Sequence, residues 1–335
     1  MEQTNRVTKE LSDIAQVLLD ADDFVILTHR YPDGDTVGSA FALCRALQKR
    51  GKRARVIVNG TLDKKFAFLK ENFEEQSFDY KTVVSVDVAS ENLLGDLRDE
   101  FGGRVDISID HHASNTNFAK LNYVNASAAA NTENIFALIY ELGVQIDKYM
   151  ADAIYTGICT DTGCFKFTNV TSHTMRVAAS LMDIGCDSAE INRVMFDLKS
   201  MARIRLERAV LDSLVLFSDG KIAVINTLLS MEKELGVGDT DMDGIASIPR
   251  QIEGVVIGIT IKEKGEGLFR VSIRSLGEYD ASAVAANFGG GGHHAAAGCT
   301  LRGDLESARA SIVEAAQRVI ARVDAKNNDI HIEAV

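Results

Sequence analysis

Val105-Asp-Ile-Ser-Ile-Asp110-His111-His112 is the stretch whose reading decides the fold. Val105, Ile107 and Ile109 alternate with Asp106 and Ser108, which is the period of a β-strand. The run then stops in a carboxylate and two imidazoles. In open α/β sheets, ligands gather just beyond the carboxyl ends of the strands. Asp110-His111-His112 is therefore a candidate metal corner.

Two further stretches have the same form. Phe24-Val-Ile-Leu27 runs into Thr28-His29-Arg30-Tyr31-Pro32-Asp33-Gly34-Asp35, and Thr82-Val-Val-Ser-Val86 runs into Asp87. Asp161 follows an apolar helical pattern in Tyr155-Thr-Gly-Ile-Cys-Thr-Asp161. Taken singly, an acid at a strand end is more often a helix cap, and Pro32-Asp33-Gly34-Asp35 more often a surface turn. The conjunction is what carries weight. His29, His111 and His112 are three of only seven histidines in the chain, and all three follow strands.

Around these positions the pattern alternates strand and helix. Helical spacing covers Leu11 to Leu19, and strand 24–28 follows. Thr36 is placed to cap a helix from Val37 to about Arg50, ended by Gly51. Next come strand Arg55 to Val58, a short helix Lys64 to Lys70, strand 82–86, helix 91–101 and strand 105–109. Helices are expected at Asn131–Leu142, Lys148–Thr160, 172–185 and 187–197. This order implies an α/β fold with a mostly parallel sheet and helices on both faces.

Ser200 to Phe217 reads as one long polar helix bridging two domains. The expected layout is a catalytic, metal-binding domain at 1–195, a helical linker at 196–217, and a smaller α/β domain at 218–335. In the second domain the pattern gives a strand from Lys221 to Ile225 and a helix from Leu228 to Leu235. A hairpin turns at Lys264 to Gly267, and a short helix spans Asp280 to Phe288. A closing helix runs from Leu305 to Val323, with a possible last strand at Asp329 to Ile332. Gly289-Gly-Gly-Gly-His293 reads as a loop whose backbone N–H groups could receive an anion. Arg274, in Ser272-Ile-Arg-Ser275, suits bidentate phosphate contact.

A length of 335 residues favours two domains. Hydrophobic residues make up 46% and charged residues 25%, an ordinary globular composition. No run approaches a bilayer span, and no signal-peptide core opens the chain, so the expectation is a cytoplasmic protein that does not engage a membrane. The five cysteines show no Cys-x-x-Cys spacing, which argues for reduced thiols. The formal net charge of −12 offers no basic track for a long nucleic acid.

Carboxylates with imidazoles and no thiolate suit Mn, with Mg, Co, Zn or Fe as other possibilities. So many acids at one sheet edge would repel one another without cations between them. Two ions about 3.5–4 Å apart, sharing a carboxylate, would supply a water nucleophile and neutralise phosphoryl charge.

Taken together, these residues resemble the DHH–DHHA1 phosphoesterase family over nearly the whole chain. Asp110-His111-His112 matches the name-giving motif. His29, Asp33 and Asp35 match the first motif, and Asp87 and Asp161 match further acids. Gly289 to Gly298 and Ser272 to Ser275 match the second domain's signature. Length and layout are similar to the stand-alone nano-RNase and pAp phosphatase group.

The resemblance implies two Mn ions, with Mg or Co as substitutes. His29, Asp33 and Asp87 would hold one; Asp35, Asp87, His111 and Asp161 would hold the other. It implies that Asp110 orients His111, that His112 lies at the scissile phosphate, and that Arg274, Ser275, Gly290, Gly291, Gly292 and His293 bind substrate from across a cleft. His293-His294 departs from the family pattern, in which a polar residue more often follows. The implied partners are short oligonucleotides, linear dinucleotides such as pApA and the bisphosphate pAp, with a homodimer as a further possibility. Alternatives are a single-strand exonuclease, a pyrophosphatase or polyphosphatase, and a non-catalytic nucleotide-binding protein.

Overall fold

The computed structural model describes residues 7–71, 73–242 and 244–333. The chain divides between Leu198 and Lys199 into two compact units.

The first unit runs β1 (Val7–Thr8), α1 (Leu11–Asp20), β2 (Phe24–Leu27), α2 (Gly34–Lys49), β3 (Ala54–Ile57) and α3 (Ala67–Glu71). It continues with β4 (Thr82–Val86), α4 (Arg98–Phe101), β5 (Ile107–Asp110), β6 (Leu121–Val124), α5 (Asn131–Glu141), α6 (Lys148–Asp161), α7 (Ser172–Ile184) and α8 (Ser188–Asn192). The strands form one sheet in the order β1-β6-β5-β4-β2-β3, and every neighbouring pair is parallel.

Alternation along β2 sends side chains to two cores. Phe24 and Ile26 join the larger one, with α1, α2, α5 and α6. Val25 and Leu27 join the other, with Leu94, Phe101 and Phe118. Both faces are therefore covered, which is why the central strands are apolar throughout. Each fully buried Leu or Ile contributes about 1.5–3 kcal/mol.

Helices α2 and α6 approach closely because glycine faces them. A Cβ on Gly38 would strike the Ala153 carbonyl, and one on Gly34 would strike Thr160. A Cβ on Gly157 would meet Thr132 and come within 2.6 Å of the Asp35 carboxylate. This packing sets the start of α2 beside the end of α6.

The second unit runs α9 (Met201–Asp212), β7 (Val215–Phe217), β8 (Ile222–Thr227), α10 (Leu229–Leu235), β9 (Ile257–Gly265), β10 (Leu268–Ser275), α11 (Ala281–Ala286), β11 (Gly291–His293), β12 (Ala296–Arg302) and α12 (Leu305–Glu333). Its sheet is mixed, in the order β11-β12-β10-β9-β8-β7, with only β8 and β9 parallel. Ile259, Val271, Ile273 and Cys299 pack on one face with Val284, Ile312 and Ala316 of the helices.

Several expectations are corrected. The bridging helix expected to reach Phe217 ends at Asp212. The β-branched and aromatic run Val215–Phe217 pairs antiparallel with β8 instead. Leu206 and Val210 bury against Ile225 and Ile245, so α9 packs within the second unit. The glycine run is not a free loop: Gly291–His293 is an edge strand on β12. The expected last strand at Asp329–Ile332 lies within α12, since no Gly or Pro after Gly303 interrupts that helix. Helix α2 begins at Gly34 with Asp33 as its cap, one turn before Thr36.

Candidate metal centre and phosphoester site

The parallel sheet delivers its acids and imidazoles to one edge. Strands β2, β4 and β5 end side by side, and His29, Asp87 and His111 follow them. Asp87 adopts φ 60°, a left-handed turn that Asp tolerates better than most residues. Its N–H donates to the Ile109 carbonyl at 2.9 Å, which locks the turn. Asp33 and Asp35 arrive on the first turn of α2, and Asp161 on the last residue of α6.

Three groups of potential ligand atoms result, each within 4.8 Å of one another: His29, Asp33 and Asp87; Asp35, His111 and Asp161; and Asp87, His111 and His112. Asp87 stands between the two imidazoles. Its Oδ2 is 3.6 Å from His29 Nε2, and its Oδ1 is 3.4 Å from His111 Nε2. His111 Nε2 also faces Asp35 Oδ2 at 3.6 Å and Asp161 Oδ2 at 3.4 Å. His29 Nε2 faces Asp33 Oδ1 at 3.6 Å.

The hydrogen bonds fix what each group offers. His111 Nδ1 lies 3.2 Å from the Ala128 carbonyl, which can only accept. Nδ1 therefore carries the proton, and the Nε2 lone pair of the neutral ring points at three carboxylates. Asp35 is fully buried and accepts from the N–H groups of Asn131 at 2.5 Å and Thr132 at 2.8 Å, at the start of α5. Asp33 Oδ1 caps α2, accepting from the N–H groups of Asp35 and Thr36, each at 3.1 Å. His29 differs from His111: its Nδ1 accepts from the Tyr31 N–H at 3.3 Å, which leaves the proton on Nε2 in the neutral ring. Holding a cation at Nε2 requires that long bond to be given up.

Charge is frustrated here. Burial, then the charges of Asp35 and Asp87, pushes Asp161 up to about 9. Burial, then Asp87, pushes Asp35 up to about 7. Burial acts downward on His29 and His111, but the facing carboxylates, Asp33 and Asp87 at His29 and Asp87, Asp35 and Asp161 at His111, outweigh it and raise both to about 10, so the neutral ring is the form a bound cation would select. The Asp87 Oδ1 and His111 Nε2 atoms are buried with no hydrogen-bond partner. Two orphaned lone pairs, ringed by carboxylates, are what a divalent cation would satisfy. The residues present fit a metal.

Asp110 plays a different part from the one expected. Its Oδ1 accepts the backbone N–H of His111 and lies 2.8 Å from His112 Nδ1; its Oδ2 accepts from Asn115 Nδ2 at 2.6 Å. Burial acts upward on this carboxyl, but bonds from His112 and Asn115 hold it below its usual range. As an ionised acceptor, Asp110 orients His112, while the Ala128 carbonyl orients the His111 ring. Asn115 and Asn134 were not anticipated. The latter donates to the Asp110 carbonyl at 3.2 Å. The one clue to Asn115 is its place five residues after Asp110.

In the second unit, register sets Arg274, Ala296 and His293 in one row across β10, β12 and β11. Directly paired residues project to the same side of a sheet. Arg274 and His293 thus share the face opposite α11 and α12, the face whose far end α9 covers at Ile225, and stand two strands or about 10 Å apart. Ser272, Gly298 and Gly291 form the next row on that face. Burial and the neighbouring Arg250 pull the Arg274 guanidinium below its usual range, and among the described residues no carboxylate pairs with either arginine. Ser275 is buried and donates to the His294 carbonyl at 3.0 Å, so it serves the strand. Gly290 and Gly292 are needed for packing, because a Cβ would strike Gly298 and Cys299, or Ala296 and Ala297; Gly291 is open. Among the described residues, no helix is long and apolar enough to cross a membrane.

Comparison with known proteins agrees with this geometry. Residues 23–158 match the DHH family N-terminal domain, and residues 221–322 match the DHHA1 domain. The chain is 34% identical to the bifunctional oligoribonuclease and PAP phosphatase NrnA of Thermus thermophilus, over 89% of this chain and 90% of that one. It is 25% identical to the Bacillus subtilis protein of the same name, over 84% and 90%. In structure it is similar to an exopolyphosphatase-related protein from Bacteroides fragilis, with a TM-score of 0.81 and 24% identity over 92% of this chain and 96% of that one. Strand-end acids and imidazoles, the Asp110-His-His motif and both domain matches agree: the chain belongs to the DHH–DHHA1 phosphoesterase family and is a hydrolase of phosphoric esters.

Proposed function

We propose that the chain is a two-metal phosphoesterase acting on short nucleotides: oligoribonucleotides of a few residues, linear dinucleotides such as pApA, and pAp. The single observation that carries the reading is the position of Asp87, whose two carboxylate oxygens face different imidazoles at 3.6 and 3.4 Å. One ion would be held by His29, Asp33 and Asp87, the other by Asp35, Asp87, His111 and Asp161, with Mn the ion best suited. When bound, the ions supply an activated water and neutralise charge on the phosphoryl oxygens.

The chain's own residues do the rest. Asp35 is held by the start of α5 and cannot swing away. Its position under Gly157 keeps α2 and α6 in register with the site. Asp110 accepts a hydrogen bond from His112 Nδ1–H, raises that imidazole's pKa, and leaves Nε2–H free to protonate the departing oxygen. Arg274 and His293 present positive charge and a donor over a floor of Ala296, Gly298 and Gly291, where a phosphate can approach the backbone closely. The names carried by the Thermus and Bacillus relatives support short oligoribonucleotides and pAp as substrates.

The test is hydrolysis by the Mn-loaded chain of pApA, a short RNA, pAp, a long single strand, cyclic di-AMP and pyrophosphate, each with a chelator control. Chelator-sensitive turnover favouring the short linear nucleotides is the expected result. Turnover of pyrophosphate alone would overturn it.

A further inference from the structure

Residues 125–134 join the end of β6 to the first turn of α5. They bond to each member of one candidate ligand group. The Thr132 and Asn131 N–H groups donate to the two oxygens of Asp35, at 2.8 and 2.5 Å. The Ala128 carbonyl faces His111 Nδ1 at 3.2 Å. The next carbonyl, of Ala129, accepts from Asn169 Nδ2 at 3.0 Å, and the same Nδ2 donates to the Asp161 carbonyl at 3.2 Å. The Asn169 amide spends both of its hydrogens tying the last residue of α6 to this segment.

Amide side chains fix the shape of the segment. Asn125 Nδ2 donates to Asn134 Oδ1 at 3.1 Å, Asn134 Nδ2 to Asn131 Oδ1 at 3.2 Å, and Asn131 Nδ2 to Ser39 Oγ of α2 at 3.0 Å. The Asp110 carbonyl accepts from Asn134 Nδ2 at 3.2 Å and from the Asn125 N–H at 3.0 Å. Asn131, Asn134 and Ser39 are buried. Buried amides are costly unless paired, and a network in which each amide is paired holds one geometry. This relay links β5, α5 and α2, the elements that carry His111 and Asp35.

The other ligand group has no such frame. Among the described residues, 125–134 make no hydrogen bond to His29, Asp33 or Asp87. The Tyr31 N–H bonds His29, and the Asp35 and Thr36 N–H groups bond Asp33, all within one loop and the helix start that follows it. The Asp33 side chain is half exposed, whereas Asp35 is fully buried.

We propose that residues 125–134 preset the Asp35, His111 and Asp161 half of the metal centre, and that Asn169 is a positioning residue for that half alone. The inference rests on the two-metal reading and assigns the tighter ion to this half. Ligands held in place beforehand lose less freedom on binding, which raises affinity. Both Asn169 bonds go to backbone carbonyls, so its effect runs through the placement of Asp161.

Calorimetric titration of the metal-free full chain with Mn tests this, in the wild-type chain, in Asn169→Ala, and in both again with His29→Ala to isolate the framed half. Asn169→Ala should weaken the tighter step about tenfold or more, and the single ion left in the His29→Ala background by the same factor. The weaker step should stay at its wild-type value. A bond that served stability alone would lower the melting temperature and leave the ion affinities unchanged. Asn134→Ala should weaken the same step; Asn169 is exposed, so its variant decides the matter if the buried one fails to fold. Equal weakening of both steps, or an unchanged tighter step in a folded Asn169→Ala chain, would overturn the proposal while the two-metal reading stands. Fewer than two ions in the wild-type chain would overturn that reading and this proposal with it.

Discussion

Asp87 Oδ1 and His111 Nε2 face each other at 3.4 Å, both buried and neither hydrogen-bonded. Two such atoms in a folded protein cost stability unless something lies between them. Asp87→Asn should therefore separate stability from function. In the metal-free chain it removes one of several crowded charges, and the melting temperature should rise by a few degrees. Turnover should fall by at least about a hundredfold. Calorimetry beside an activity assay reads both; a lower melting temperature with activity retained would contradict this account.

Asn115 holds Asp110, and Asp110 holds His112. None of these contacts belongs to the proposed ligand set. Asn115→Ala should lower kcat about ten- to a hundredfold while bound metal stays at the wild-type level. Metal analysis and steady-state kinetics on one preparation decide it. A fall in metal content would move Asn115 from positioning His112 to building the metal centre.

In the second unit, Arg274→Ala should raise KM about tenfold or more with metal content unchanged. Gly291→Ala should leave the fold intact, because nothing lies near the added methyl. Gly292→Ala should destabilise the hairpin by about 1–3 kcal/mol, since Gly292 has φ 148° and faces the Ala296 carbonyl. Denaturant titration of the two glycine variants side by side checks the contrast.

Asp147 caps α6 and links it to α2. It accepts from the Met150 N–H at 3.0 Å and from Lys49 at 3.2 Å. Burial acts upward on this carboxyl, but these bonds hold it below its usual range. A lowered folded pKa means stability that is present above the ordinary aspartate value and lost as pH falls through the lowered one. Asp147→Ala should cost about 1 kcal/mol at neutral pH, and the gap to wild type should close as the solution is acidified below about pH 4. Urea unfolding at stepped pH measures the gap.

The strand ends were legible because each apolar run stops in a group that chemistry can name. His29, Asp87 and Asp110-His111-His112 sit where the pattern put them, and the all-parallel order followed from alternating elements. Other features depend on tertiary contact. Strand β6 is four residues long and carries a buried Asn122, whose side chain bonds the Ala119 backbone. Ala128 orients His111 through a carbonyl, which no side-chain motif can record. Asp33 carries two roles, cap and candidate ligand, so the sequence pointed to Thr36 as the cap. The break between α9 and β7 turns on a pairing with β8 that periodicity within 200–217 does not contain.

The central claim is a site for two ions built around Asp87, with unequal halves. His111 is already in the ligand tautomer, whereas His29 must release the Tyr31 N–H. Equilibrium dialysis of the metal-free full chain against Mn, with the bound ions counted, tests this most directly. The account predicts two ions per chain that bind in separable steps, and one remaining tight ion in His29→Ala. One ion or none in the wild-type chain, or both lost in His29→Ala, would contradict it.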